Sequence, residues 1–260
     1  MNNKLKGIFK GVQEYFISIF IFIIIWGIYV KMSGVAEYIM PSPIKVIKKL
    51  FEIMISGEIW PHFFATSGII FIGYFIGVFL GLVFGYMIEK IKVLKKMIMP
   101  YIIFFQTAPK IALVPLFVIW FGLGLTSKLI LIVSMVFFPV MVSTMDGIAS
   151  VPKDMRNLMK ILNANRFQTI FKMEIPHSMP LIFSGLKIGM VQAIIGAIVA
   201  EWISGKIGLG YILIFASSTF DTTLLIAGIF FTIIVGIFYY ELVNIVEKKV
   251  LYWHESQINK

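Results

Sequence analysis

The side chains that could carry out chemistry are sparse in this sequence. A phosphate-binding Gly-x-x-x-x-Gly-Lys-Ser/Thr loop does not occur, and the nearest stretch, Ser204-Gly-Lys-Ile, lacks the hydroxyl that would hold magnesium. The histidines His62, His177 and His254 are scattered, with no His-Glu-x-x-His motif for zinc, and there is no cysteine. No Gly-x-Ser-x-Gly nucleophile motif is present. We therefore expect a chain that is not an enzyme and holds no metal or cofactor.

Isolated charges in apolar stretches are the remaining candidates. Lys110, with Gln106 one turn before it, lies near the middle of an apolar run, where a lysine costs about 3 kcal/mol unless it faces a cavity or a partner. It could attract an anionic solute in a permeation path, or it could snorkel or pair with another subunit. Glu201 and Asp221 could form an outer gate or contact a protein partner outside the membrane, or they could be solvated loop charges.

The composition indicates the kind of elements that must position these residues. Of the 260 residues 59% are hydrophobic and 14% are charged, and the mean hydropathy is +0.94. These values predict an all-α, polytopic membrane protein with room for about six spans. The net charge of +10 does not indicate nucleic-acid binding, because the lysines lie beside apolar runs.

The apolar runs predict a single transmembrane domain over residues 1–260. Residues 1–62 would hold a first span and an interfacial helix that starts after Pro41-Ser-Pro43 and exposes three lysines, Lys45, Lys48 and Lys49. The alternative for the first run is a signal peptide cleaved near Val35-Ala36. Residues 63–250 would form the core. Its spans are expected at residues 63–88, 97–121, 129–148, 181–202 and 224–246.

Two spans have unusual sequences. Four glycines follow one another at intervals of four residues in the second span, which predicts a face that another helix approaches closely: Gly73, Gly77, Gly81 and Gly85. The alternative is that membrane helices simply contain many glycines. The third span is expected to be broken at Pro100, Pro109 and Pro115, so its backbone must face protein or water.

The lysines and arginines predict an orientation. They are concentrated on the side that holds the N-terminal Lys4, Lys6 and Lys10, the lysines after residue 89, and the stretch 154–180. The positive-inside rule then places both termini and this stretch in the cytoplasm.

Residues 154–180 form the longest polar, basic interruption in the chain. Met155, Leu158, Met159 and Leu162 have the spacing of an apolar stripe on a short helix. A second short helix is expected over residues 166–172, and prolines 176 and 180 are expected to end the segment. We interpret it as two amphipathic turns outside the membrane.

The spacing within this stretch resembles a loop in the permease subunits of bacterial ABC importers, with the pattern Glu-Ala-Ala, three residues, Gly, nine residues, Ile-x-Leu-Pro. Asn163 stands at the glycine, and because asparagine tolerates the left-handed conformation it can make the same turn. The triplet and the final motif fall on Asn157, Leu158, Met159, Met173, Ile175 and Pro176.

Further stretches resemble the branch that imports nitrate, taurine, alkanesulfonates, bicarbonate, or thiamine and riboflavin precursors. They include Ser184-Gly-Leu-Lys187, Ala200-Glu-Trp202 and Gly208-Leu-Gly-Tyr211. The resemblance implies a type I importer permease of the bacterial inner membrane with a second permease copy, two ATPase subunits that bind ATP and magnesium, and an external solute-binding protein. The loop at residues 150–180 would couple to the ATPase, and the solute would be a small anionic or heterocyclic compound.

The alternative function is a self-sufficient secondary transporter or channel. Broken spans and an intramembrane lysine are also expected in such proteins. The feature that separates the two is the loop with its spacing from Asn163 to Pro176, because a secondary carrier has no ATPase to contact.

Overall fold

A computed structural model describes residues 2–253, without the side chains of residues 2–16 and 204. The charges expected at Lys4, Lys6 and Lys10 therefore lie outside the described side chains, as does His254. The described chain is all-α. Its helices are α1 (Asn2–Ser33), α2 (Pro43–Ile55), α3 (Ile59–Lys90), α4 (Lys92–Thr107), α5 (Val114–Phe121), α6 (Leu125–Ala149), α7 (Lys153–Ile161), α8 (Arg166–Thr169), α9 (Ile175–Ser204), α10 (Leu209–Ser218) and α11 (Thr222–Val250).

Four helical segments of the described chain are long and apolar enough to cross a membrane: Ile59–Lys90, Leu125–Ala149, Arg166–Ile203 and Thr222–Val250. A fifth crossing is available if α4 and the segment Lys110–Phe121, which meet at an angle of 84°, count as one broken span. The first of the six expected spans is described with side chains only from residue 17. Its described apolar part, Ile17–Ser33, is shorter than the other four segments.

The chain divides into two compact units, of which the smaller comprises Met1–Trp60 and Ile212–Thr232. Its core is formed by Trp26, Val46 and Ala227. The Trp26 ring stacks on Phe230 with ring centroids 6.4 Å apart. The expected helix after Pro43 is confirmed as α2. Proline is favoured in a first helical turn, because the backbone N–H that it lacks would have no helical partner there.

The larger unit comprises Pro61–Tyr211 and Ile233–Lys260, and the predicted glycine seam lies within it. A Cβ atom built on each seam glycine would meet α6: Ile132 at Gly73, Val136 at Gly77, Val140 at Gly81, and Met141 and Thr144 at Gly85. At all four glycines, therefore, α6 is the helix that approaches α3 closely. Further along α6, Gly147 packs against Ser178 of α9 in the same manner.

The third span is broken at one of its three prolines. Pro109 separates α4 from a 3-10 turn at Lys110–Leu113, which leads into α5. The expected breaks at Pro100 and Pro115 are wrong. Pro100 is accommodated inside α4, and Pro115 lies in the first turn of α5, where its missing N–H leaves no carbonyl unpaired.

The prediction that Pro176 and Pro180 end the basic segment is also wrong. A π-turn at Ile170–Glu174, in which the Ile175 N–H donates to the Ile170 carbonyl, joins α8 directly to α9. Pro176 lies in the first turn of α9 and Pro180 lies within that helix. Prolines are tolerated in membrane helices because neighbouring helices and local π geometry accommodate the missing hydrogen bonds.

Candidate functional site

The first helix of the basic segment, α7, stands on the end of α6. Nη2 of Arg156 donates a hydrogen bond of 2.8 Å to the Ile148 carbonyl, one of the terminal carbonyls of α6. None of the α7 residues is buried, and Leu158 is 53% exposed. Met155 is also exposed, while Met159 is half-buried. The predicted apolar stripe is present and has little packed against it within this chain.

The turn after α7 has the expected left-handed residue. Asn163 has φ of +48°, which confirms that it takes the conformation usually given to glycine. The Ala164 N–H donates to the Met159 carbonyl at 2.9 Å and the Asn163 N–H donates to the Lys160 carbonyl at 3.0 Å, the pair of bonds that closes a Schellman motif. Asn165 then caps α8 through reciprocal bonds with Gln168. This turn is held by hydrogen bonds at every step.

Beyond the turn, two aromatic side chains are also exposed. Phe167 and Phe171 are 74% and 63% exposed, and their parallel rings have centroids 6.5 Å apart. Together with α7 they make what we call the exposed loop side chains: Met155, Leu158, Ile161, Leu162, Phe167 and Phe171.

The base of the loop is anchored by Glu174, a residue that the sequence reasoning missed. Its carboxylate is 2% exposed, forms an ion pair with Lys90 and accepts a hydrogen bond of 3.1 Å from the Tyr86 hydroxyl. Met173 is buried beside it, and Ile175 and Pro176 are half-buried. The only sequence signal was a lone carboxylate inside a basic, apolar stretch. The two sides of the loop therefore differ: Asn157 and Leu158 are exposed, while Met173 is buried and Glu174 is bound to α3.

Lys110 lies in the 3-10 turn at the break of the third span. Its ammonium donates a hydrogen bond of 3.1 Å to the Gln106 carbonyl and lies 5.2 Å from the centroid of the Phe138 ring. The lysine thus donates a hydrogen bond to a carbonyl that has no helical partner at the break, and its positive charge is stabilised by the face of an aromatic ring. The Gln106 side chain itself is exposed.

Glu201 is not a solvated loop charge, which corrects that interpretation, because it is 1% exposed. Its carboxylate accepts a hydrogen bond of 2.8 Å from the Thr66 hydroxyl and another of 2.8 Å from the Gly210 N–H. The Thr66 hydroxyl in turn accepts the Leu209 N–H at 2.8 Å. Glu201 therefore joins α3, α9 and the amino end of α10, where a helix presents free N–H groups.

The surroundings of Glu201 explain why the stretch Gly208-Leu-Gly-Tyr211 needs glycine at position 208. Gly208 has φ of +130°, and a Cβ atom on it would overlap the Glu201 carboxylate. Its N–H donates to Nδ1 of His62 at 3.1 Å, and the His62 ring stacks on Tyr211. Asp221, by contrast, is exposed and accepts the Leu224 N–H at 2.9 Å as the cap of α11.

A family profile described as the binding-protein-dependent transport system inner membrane component matches residues 73–252, which contain the loop, the broken span and Glu201. The chain belongs to this family. It is accordingly a permease, a multi-pass protein of the bacterial inner membrane.

The permease is similar along most of its length to proteins with several solutes in their names. It is 30% identical over 240 residues to the riboflavin transport system permease protein of Chloroflexus aurantiacus, which covers 92% of this chain and 90% of the relative. It is 31% identical over 234 residues to the formylaminopyrimidine transport permease protein of Halalkalibacterium halodurans, covering 90% and 93%. It is 28% identical over 236 residues to the taurine transport system permease protein of Escherichia coli, covering 88% and 86%.

The permease also has a polar groove that the sequence reasoning did not predict. The groove has a volume of about 320 Å³ and is lined by Ser184, Lys187, Gln192 and Tyr240, among others. Lys187 forms an ion pair of 2.7 Å with Glu247 of α11. Polar side chains within spanning helices are costly and usually face a cavity or a partner, and their spacing along α9 was the available signal.

Proposed function

We propose that this permease is the membrane-spanning subunit of an ATP-driven importer and that residues 154–180 couple it to a separate ATPase. The observation that carries the proposal is the combination of the exposed loop side chains with a buried base at Glu174. Exposed leucine and phenylalanine side chains on a basic segment favour a protein contact, since clustered exposed apolar side chains mark interaction sites and Phe and Met are enriched at interfaces.

The anchoring of the loop suits the transmission of force. Arg156 holds α7 to the last turn of α6, and Glu174 holds the start of α9 to α3. When two ATPase subunits close on ATP, the docked loops of two permease copies would move together as rigid levers, and the path would change from inward-open to outward-open. ATP and magnesium would bind to the partner ATPase, and this chain would hold no cofactor.

The path itself would lie between two copies of the permease, and a solute-binding protein would deliver the solute from outside. Lys110 and Gln106, at the break of the third span, are our candidates for contact with the solute. The names of the relatives mention riboflavin, formylaminopyrimidine and taurine, which supports a small anionic or heterocyclic solute. Both termini would be cytoplasmic, as the positive-inside rule requires of this charge distribution.

Leu158→Asp is the direct test of coupling. The change removes a leucine contact and places a carboxylate in an apolar interface, which should cost at least about 2 kcal/mol and so weaken ATPase binding by a factor of about 30 or more. The measurement is co-purification of the ATPase with the permease, followed by solute uptake in reconstituted vesicles.

Tyr252→Asp provides the matched control, because Tyr252 is 76% exposed and follows the end of α11, outside residues 154–180. This variant should bind the ATPase as the wild type does. Normal co-purification and uptake by Leu158→Asp would show that the loop is not the docking site.

A further inference from the structure

A second cavity lies beside the loop, where α3 ends and α4 begins. Its volume is about 520 Å³, and its charged lining comprises Lys90, Lys92, Lys95, Lys96, Arg156 and Glu89. The lysines come from the junction of two successive helices, whereas Arg156 comes from α7. Residues distant in sequence therefore gather five cations around one concave space.

The ion pairs leave part of this charge uncompensated. Lys95 is paired with Glu89 at 2.6 Å, and Lys90 is paired with Glu174. Lys92, Lys96 and Arg156 have no carboxylate partner among the side chains that the structure describes. Nε of Arg156 is moreover buried and lacks an acceptor within the described chain. A buried donor without an acceptor is costly, so this pocket is suited to an anion with several acceptor oxygens.

An apolar groove adjoins the basic pocket. It has a volume of about 470 Å³, lies between α3, α6 and α9, and shares Ile148 with the basic pocket. Leu82, Met87 and Met179 are among the apolar side chains that line it. Its two polar residues already have hydrogen-bond acceptors: Tyr86 bonds to Glu174, and Thr144 bonds to the Val140 carbonyl. Nothing in this groove calls for a polar ligand.

We propose that the basic pocket and the apolar groove together form a binding site for an anionic phospholipid. The phosphate of the headgroup would bind among Lys92, Lys96 and Arg156, and one acyl chain would lie in the groove past Ile148. The depth is suitable, because the junction between α3 and α4 connects a membrane-crossing helix to the first half of the broken span, which would place it at the membrane surface. Basic pockets between membrane helices are suited to anionic lipid headgroups.

A phospholipid fits these observations better than an acidic segment of a partner protein does. An acidic side chain would compensate the cations, but it would leave the adjoining apolar groove unused. A phospholipid has a phosphate for the basic pocket and an acyl chain for the apolar groove that adjoins it. This site goes beyond the proposed coupling function and does not depend on it.

The test uses the full-length permease in nanodiscs that contain phosphatidylglycerol and phosphatidylcholine. Native mass spectrometry of the released protein measures the preference for retained phosphatidylglycerol. The double variant Lys92→Gln/Lys96→Gln should lower that preference about 30-fold, because it removes the attraction of two lysines for the anionic headgroup. The control Lys248→Gln/Lys249→Gln removes the same charge at two exposed lysines of α11 and should retain the wild-type preference.

Three results would overturn the proposal. The first is equal retention of phosphatidylglycerol by the Lys92→Gln/Lys96→Gln variant and the control. The second is displacement of phosphatidylglycerol by inorganic phosphate, which would make the pocket a site for free anions. The third is displacement by the partner ATPase together with weaker ATPase binding to the double variant, which would make it a protein contact. Persistence of the lipid against phosphate and ATPase, and its loss in the double variant alone, would establish the site.

Discussion

Gly77→Ala is the smallest change that tests the contact between α3 and α6. A Cβ atom at Gly77 would lie 2.7 Å from Cβ of Val136 and 3.2 Å from the Val133 carbonyl oxygen. Carbon atoms in contact are ordinarily about 3.5–4.0 Å apart, so the overlap is about 1 Å. The Cβ atom of Val136 is fixed by its own backbone and cannot rotate away. The two helices must therefore separate locally to admit a single methyl group.

The expected cost follows from two opposing effects. Overpacking a close contact costs about 1–3 kcal/mol, whereas alanine stabilises a helix interior by up to about 1 kcal/mol relative to glycine. Gly68 lies in the same helix with nothing within 4 Å of a built Cβ atom, so Gly68→Ala has the second effect without the first. The two variants should therefore differ by about 1–3 kcal/mol, with Gly77→Ala the less stable.

The assay is thermal unfolding of the purified permease in detergent, with both variants measured side by side. Gly77→Ala should unfold at a lower midpoint than Gly68→Ala. Gly85→Ala should be at least as harmful as Gly77→Ala, because its Cβ atom would lie 2.6 Å from the Met141 carbonyl oxygen, a backbone atom. Equal midpoints for Gly77→Ala and Gly68→Ala would refute the interpretation of the seam as a close contact.

Two further substitutions test the buried and half-buried charges. Lys110→Met removes an attraction of about 4 kcal/mol for an anion near 4 Å, before desolvation, and should reduce solute uptake strongly while basal ATP hydrolysis and assembly persist. Normal uptake, or a failure to assemble, would make Lys110 structural. Glu201→Gln replaces one carboxylate oxygen by N–H₂, so the Thr66 and Gly210 donors would face one neutral acceptor oxygen in place of two charged ones, costing about 1–3 kcal/mol. Hydrogen exchange at the Gly210 amide should accelerate, and unchanged exchange would contradict this role for the carboxylate.

Much of the fold could be predicted because hydropathy and glycine spacing are local signals. The second span was expected over residues 63–88 and is found within Ile59–Lys90. The extra residues are the less apolar ends of the helix, which carry no hydropathy signal. The identity of the helix packed on the glycines could not be predicted, because Val136 and Val140 resemble any other valines of a membrane helix. Prolines misled the prediction at Pro176 and Pro115, since the effect of a proline depends on its position within the helix.

The candidate site could be predicted in part for a similar reason. The loop was found from its polar, basic composition and from the resemblance of its spacing to the permease pattern, and Asn163 was assigned its left-handed turn from the conformational preference of asparagine. Glu174 and Glu201 could not be assigned their partners. Lys90 is 84 positions from Glu174, and Thr66 is 135 positions from Glu201. A single carboxylate in an apolar run has no periodicity, and only the three-dimensional arrangement shows what neutralises it or donates to it.

These two carboxylates act on the same pair of helices. Glu174 and Glu201 are 27 residues apart, about 40 Å along a helix, which is close to the full thickness of a bilayer with its headgroups. Glu174 joins the start of α9 to the end of α3, and Glu201 joins the end of α9 to the start of α3.

Between these two attachments, α6 is packed against both helices through glycines. Gly77 of α3 meets Val136, and Gly185 of α9 meets Ser143. Contacts this close between backbones resist sliding, since any shift brings a side chain into the facing helix. A displacement of the loop at Glu174 should therefore move α3, α6 and α9 together and reach the first turn of α10 through Glu201. Under the proposed coupling function, the buried carboxylates would connect the loop mechanically to the opposite membrane face.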